Sequence, residues 1–353
     1  MANRIQLLGF DLLGKDGHDG TRYAWKCDRF TYLLESAAFR NKTKGFEEKI
    51  SGYTTSVSLG CILKHMGVAC KFCRTGRLLP FSTLLSAKEI ARQNVLMVLL
   101  DMQSKDEERE KKAREFAYMG QGEPGGSYVQ LRQAIKITDR VLKKLGQVTY
   151  RHIISTAGIN EMLWAFEHDL ETHYFESRVT IHYSLHGTRR RSEIMPLNKI
   201  YPYEESLKLL KRISEAAGEK TCLGVLLLNK FCLDSASGSY KTEKEDLDIV
   251  LNQIDNQYFR FSLCEYNSEN DDIGIADVYP EKEAQELFDY IRNRGFEVKM
   301  FSSFGKKEKT ACGMLGGQQP KFAADKAWNE LEMYAESLID EVVEELIRCD
   351  IQY

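Results

Sequence analysis

The chain has 353 residues, 43% hydrophobic and 29% charged, a composition that fits a soluble folded protein with one large α/β core or two smaller ones and excludes a disordered chain. Its formal net charge of −3 excludes a protein held to nucleic acid by bulk charge alone. No apolar run approaches the roughly 20 residues needed to cross a bilayer, and the N-terminus, MANRIQLLGFDLLGKDGHDG, is not a signal peptide, so the expected location is the cytoplasm, with no membrane partner.

In chain order, residues 1–50 read as an N-terminal cap or β extension with a hairpin around 22–40. Short apolar runs then predict strands at 54–59, 115–119, 150–155, 179–185, 221–228 and 259–264, with another near 296–301. Between them, apolar residues at helical spacing predict helices over 86–103, 128–145, 159–169, 203–217, 243–256 and 281–294. A long helix near 323–348 closes the chain, its apolar face expected to pack on its own sheet rather than on a neighbour. Strand and helix repeated six times predict an α/β fold, a partial (β/α)6 barrel with small N-terminal and C-terminal additions. The expected division is a cap over 1–50, a core over 51–320 and a C-terminal helix over 321–353. Sites in such sheets lie at the C-terminal ends of the strands.

Nine cysteines occur, at 27, 61, 70, 73, 222, 232, 264, 312 and 349, and an odd number in a long chain expected in the cytoplasm argues against a disulfide framework. Cys222, Cys232 and Cys264 lie in or beside apolar runs and read as small buried thiols. Cys61, Cys70 and Cys73 differ. They fall within SLGCILKHMGVACKFCRTG, directly after a predicted strand, and three thiols so close form a site. Zinc would need a fourth ligand, for which His65 stands nearby. An iron–sulfur cluster held by three thiolates would keep one iron open to a small molecule. Three unrelated buried thiols are the bland alternative. The run Arg189, Arg190 and Arg191 and the lysines at 306, 307 and 309 are local basic runs that read as solvated loops.

Three clustered cysteines after the first strand, with Phe72 just before the last, resemble the radical S-adenosylmethionine superfamily. Further motifs follow in order: FAYMGQGEP (116–124), ISTAGI (154–159), YSLHGTRRRSEIMPLNKIYP (183–202), CEYN (264–267) and KTACGML (309–315). Together they resemble the RNA-methylating RlmN and Cfr family over roughly 50–320. The resemblance implies a barrel of the radical S-adenosylmethionine type, a [4Fe-4S] cluster on Cys61, Cys70 and Cys73, and S-adenosyl-L-methionine as cofactor. It implies a cofactor site lined by Gly122, Glu123, Ser155, Ser184, Leu185, His186 and Asn267. Cys312 would accept a methyl group and carry the substrate adduct, and Glu35 lies near the place of a family acid. The implied partners are rRNA or tRNA and an electron donor such as flavodoxin or ferredoxin.

The chain departs from the family in three ways. Eight residues separate Cys61 from Cys70, where the usual gap is three. The family's second cysteine, which resolves the covalent intermediate, falls on Thr54, leaving Cys27 or Cys264 as substitutes through the fold. The family's N-terminal accessory domain has no counterpart in these 353 residues. Two other readings therefore stand beside methylation of an adenosine-type carbon. One is radical chemistry on a nucleotide, small molecule or peptide. The other is a zinc-stabilised binding protein.

Overall fold

The computed structural model describes residues 5–13, 19–28, 32–40, 50–103, 113–234, 238–266, 276–301 and 317–350. Three antiparallel strands open the chain: β1 (Ile5–Leu13), β2 (Asp19–Cys27) and β3 (Leu34–Arg40). The fourth strand, β4 (Ile50–Thr54), runs antiparallel to β3 and is the first strand of the parallel sheet. The short ladder between β5 (Ser58–Leu59) and β6 (Thr83–Leu84) brackets the cysteine segment, which holds α1 (Ile62–His65) and α2 (Arg74–Leu78).

Regular alternation then follows: α3 (Ala87–Met102), β7 (Ala113–Tyr118), α4 (Tyr128–Lys144), β8 (Thr149–Thr156), α5 (Asn160–Glu171), β9 (Val179–Ser184), the single turn α6 (Arg191–Ile194), α7 (Tyr203–Ala217) and β10 (Thr221–Leu227). A hairpin of β11 (Phe231–Asp234) and β12 (Gly238–Tyr240) precedes α8 (Lys244–Leu251), β13 (Phe259–Glu265), α9 (Glu281–Asn293) and β14 (Val298–Phe301). The short β15 (Phe322–Ala323) and α10 (Lys326–Asp350) end the described chain.

Eleven strands form one sheet in the order β14-β13-β10-β9-β8-β7-β4-β3-β2-β1-β15. The neighbours from β4 to β14 pair parallel, so six helical crossovers join seven parallel strands, and the two ends do not close. The expected α/β fold is borne out as a large, mostly parallel sheet that forms no closed barrel, with seven parallel strands where the partial (β/α)6 barrel implied six. The strands of the first 40 residues continue the same sheet on its antiparallel side.

One strand is displaced from its expectation. The run TTSVSL at 54–59 is buried, as a strand would be, but the sheet strand ends at Thr54. Beyond it the backbone bonds the end of β7 and the loop after it, the Thr55 N–H donating to Ala117 O and the Val57 N–H to Gln121 O, both at 2.9 Å, and hydroxyls join in: Ser56 Oγ accepts the Gln121 N–H at 2.7 Å and Ser58 Oγ donates to the Gly60 carbonyl at 2.6 Å. A short buried run has the same apolar signature whether it is strand or connector.

Side-chain alternation places Val179, Ile181 and Tyr183 of β9, Leu223 and Val225 of β10 and Phe259, Phe261 and Leu263 of β13 in the main core with the helices. Helix α10 packs on α3 within that core through Leu331, Ala335, Ile339 and Val342. Its buried Glu332 accepts the Leu7 N–H at 2.8 Å and pairs with Arg92 at 3.3 Å. A second, smaller apolar cluster sits at the C-terminal ends of the strands. It joins Cys61, Leu63, Ala157, Ile159, Ile194 and Leu226, with Cys70 and Phe72 packed against it.

Candidate functional site

Cys61 caps the first turn of α1, and the long gap to Cys70 is taken up by how that turn ends. The Gly67 N–H donates to Lys64 O at 3.1 Å and the Val68 N–H to Leu63 O at 2.8 Å. That is the paired bonding that terminates a helix through a left-handed residue, here Gly67 at φ +73°. The chain doubles back and returns Cys70 towards Cys61. The Cys73 N–H then donates to Cys70 O at 3.2 Å, and the Lys71 N–H to Ile194 O at 3.0 Å, docking the loop on the turn after β9.

Burial raises all three thiol pKa values, and the mutual repulsion of the cysteines adds to the rise for Cys61 and Cys70. Cys61 and Cys70 therefore sense the Cys73 sulfur and also Glu123. Among the described residues no three histidine, cysteine or carboxylate groups already stand in closed coordination geometry. His65, the fourth ligand that zinc would need, is exposed, its ring 5.8 Å from that of Phe81. Three thiols on one loop, backed by an apolar cluster, fit a group that takes three thiolates better than a closed zinc site.

Glu123 faces the same space. It is buried, with Oε1 accepting the Gly125 N–H at 3.0 Å and the Thr156 hydroxyl, and Oε2 accepting the Ala157 N–H at 2.9 Å. Burial pushes its carboxyl up from the ordinary range, against the pull of these three donors. No cation pairs with it among the described residues. The adjacent Gly122 adopts φ +102°, and a Cβ there would meet Ser58 Oγ at 2.1 Å, so only glycine fits.

The remaining expected residues divide. Ser155 and Ser184 are half-buried at the C-terminal ends of β8 and β9, on the sheet face away from the helices. Leu185 lies in the main core, its N–H on Gly224 O at 2.8 Å. His186 is buried, accepts the Leu226 N–H on Nδ1 at 3.0 Å and meets Phe72 edge-on at 5.0 Å. Burial and the neighbouring Arg191 press its pKa down to about 3, so it is neutral at pH 7. Glu35 is fully buried, paired with Arg22, accepting the Gly317 N–H at 2.6 Å and an N–H of Gln121 at 3.3 Å. Asn267 and Cys312 lie outside the described residues, as do the lysines at 306, 307 and 309.

Sequence reasoning missed Thr156 and Ala157, which hold Glu123, and it misjudged the arginine run. Arg189 pairs with Glu243 and Asp246 and Arg190 with Glu193, as surface residues do. Arg191 is instead 3% exposed and lies over the Tyr183 ring. Successive residues of a turn point about 100° apart, so three in a row cannot share one solvent face.

With this geometry in view, the comparisons with known proteins are specific. Over 270 residues the chain is 28% identical to "Probable dual-specificity RNA methyltransferase RlmN" of Dictyoglomus turgidum, covering 74% of this chain and 67% of that one. Over 301 residues it is 26% identical to "Ribosomal RNA large subunit methyltransferase Cfr" of Shouchella clausii, covering 82% and 76%. RlmN and Cfr are its relatives. The resemblance read from the motifs is borne out over most of the chain. A radical SAM methyltransferase from Sphaerobacter thermophilus, 18% identical, shares the fold with a TM-score of 0.68 over 88% of this chain and 82% of its own. No protein-family model matches the chain. No helix among the described residues is long and apolar enough to cross a membrane.

Proposed function

We propose that this chain is a radical S-adenosylmethionine methyltransferase of the RlmN and Cfr type, acting on an adenine carbon of RNA through a methylated Cys312. One observation carries the reading: a three-thiol loop and a buried carboxylate without a cation meet at the C-terminal end of a parallel sheet. Cys61, Cys70 and Cys73 would hold the [4Fe-4S] cluster, which when bound supplies the electron that opens the cofactor's sulfonium. Glu123, fixed by Thr156 and two backbone N–H groups, would receive the cofactor's ammonium. Ser155, Ser184 and, by sequence position, Asn267 would contact the rest of the cofactor. Neutral His186 and Leu185 would shape the wall rather than exchange protons. Glu35 would hold the segment that follows Cys312, through Gly317. A small electron-transfer protein would supply the reductant.

Thr54 keeps a second reading in view, because its hydroxyl cannot form a disulfide with the carrier thiol. Of the two substitutes, Cys27 is locked in the main core, whereas Cys264 is half-exposed at the C-terminal end of β13. Without a resolving thiol the radical would act on a nucleotide or other small substrate instead.

The test is anaerobic reconstitution with iron and sulfide, reduction with S-adenosylmethionine, and detection of 5′-deoxyadenosine. Formation that stops in Cys61→Ala, Cys70→Ala and Cys73→Ala supports the radical core. Methyl transfer to RNA that survives Cys312→Ala sinks the carrier role.

A further inference from the structure

Arg191 is a buried cation without an anion. It is 3% exposed, and no carboxylate pairs with it among the described residues. Its Nη1 donates to the His186 carbonyl at 3.2 Å and to Met195 Sδ at 3.0 Å. Its Nη2 donates to the Ala157 carbonyl at 3.3 Å and to the Tyr183 hydroxyl at 3.1 Å. Its Nε, equally buried, has no acceptor. A guanidinium taken out of water is ordinarily paired with an anion, and neutral acceptors only partly replace one.

Among the described residues, a buried carboxylate without a cation stands on the other side of Ala157. The N–H of Ala157 is bonded to Glu123 at 2.9 Å while the C=O of Ala157 is bonded to Arg191 at 3.3 Å. One peptide unit thus separates a buried carboxylate from a buried guanidinium, and neither neutralises the other directly. Both face the cysteine loop: Glu123 acts on Cys61 and Cys70, and Arg191 acts on Cys70. A ligand bearing an ammonium and a carboxylate on one carbon would complete both charges.

We propose that Arg191 receives the carboxylate of the amino-acid end of S-adenosylmethionine, opposite Glu123, which receives its ammonium. The proposal rests on the reading that this site takes that cofactor. Four of its five N–H groups already have acceptors, so Arg191 would offer the carboxylate its Nε–H, on a guanidinium whose plane is set in advance by Tyr183 and Met195. The other two arginines of the run are engaged with their own carboxylates and leave this role to Arg191.

The experiment is equilibrium dialysis of the reconstituted, unreduced protein against three probes: S-adenosylmethionine, its decarboxylated analogue, and 5′-methylthioadenosine, which lacks the amino-acid end. Wild type, Arg191→Met and Arg191→Lys are compared, with iron content and circular dichroism recorded for each. Arg191→Met should bind S-adenosylmethionine at least about tenfold more weakly. It should bind 5′-methylthioadenosine as wild type does and retain its iron. Arg191→Lys should fall between. Unchanged affinity in Arg191→Met, an equal loss for all three probes, or loss of iron would overturn the proposal, the last by showing that Arg191 balances the cluster. Should Arg191→Met fail to fold, Arg191→Lys decides alone: wild-type discrimination against the decarboxylated analogue overturns the proposal. Wild-type protein that binds none of the probes overturns the underlying reading of the site, whatever the variants do.

Discussion

Replacing Glu123 by glutamine would remove a buried negative charge while keeping the outline of the side chain. Loss of the buried charge relieves the desolvation that pushes this carboxyl up, but the amide NH2 would face one of the three donors the carboxylate now accepts, so the protein should fold with a thermal midpoint lowered by a few degrees. Affinity for S-adenosylmethionine should fall at least about tenfold. Calorimetry and dialysis on the same sample check both halves, and unfolding that accompanies the loss of affinity would make Glu123 purely structural. His182 gives a pH test. It lies on β9 with Arg151, Arg260 and Lys299 as its charged neighbours and Cys222 opposite on β10, and burial with these cations presses its pKa down to about 3. Between about pH 6.5 and 3 the unfolded chain binds a proton that the folded one refuses, so stability falls as pH drops through that window. At pH 5 the loss from this residue is about 1–2 kcal/mol relative to pH 7.5. The gap between urea midpoints at the two pH values should narrow in His182→Gln, His186 supplying a similar share of what remains. That Glu123 and the three cysteines come together was legible in the sequence from the order of their motifs. Arg191 was not, because its neighbours in the chain are surface arginines and only the turn geometry separates them.

Among the elements, the helices were read closely. The expected 203–217 is the observed Tyr203–Ala217, and 281–294 is Glu281–Asn293. Both carry one continuous apolar stripe, which periodicity detects. Helix α3 is buried on nearly every side, polar residues included, because α10 covers the face that would otherwise meet water. Sequence cannot anticipate that cover, nor that Glu332 of α10 would bond the Leu7 N–H and Arg92. Glu332→Ala should therefore destabilise by about 2–4 kcal/mol, since it leaves a buried guanidinium and a backbone donor without their acceptor. The partly exposed Glu336, 3.7 Å from Arg92, tempers the loss. Chemical denaturation measures it, and a change under 1 kcal/mol would contradict the assignment.

Across the whole molecule, the two ends of the described chain are tied by one buried ionic knot. Arg22 on β2 pairs with Asp11 and Glu35 and donates to the carbonyls of Gln318 at 3.1 Å and Gln319 at 3.2 Å. Asp11 accepts the Lys321 N–H at 2.6 Å. Through Gln121 the same knot reaches the segment that carries Gly122 and Glu123. Arg22→Met would leave two buried carboxylates uncompensated, and we expect a loss of about 3–5 kcal/mol together with faster proteolytic cleavage around residues 317–321. Uniform stability loss without that local cleavage would show that the knot does not anchor the segment. The N-terminal strands read from the sequence as a cap because their partner, β4, is separated from them by residues outside any apolar run. Their continuity with the parallel sheet follows from long-range pairing that a local pattern does not encode.

The glycine turn after α1 has a consequence for how such proteins are recognised. By reversing the chain at Gly67, the loop makes the number of residues between Cys61 and Cys70 nearly irrelevant to where the two sulfurs finish. Residues added at this reversal point are expected to lengthen a surface excursion, Met66 and Gly67 being exposed, and to leave the donors in place. A search that counts positions between cysteines would pass this chain by, whereas one that asks which thiols return to the same wall would find it.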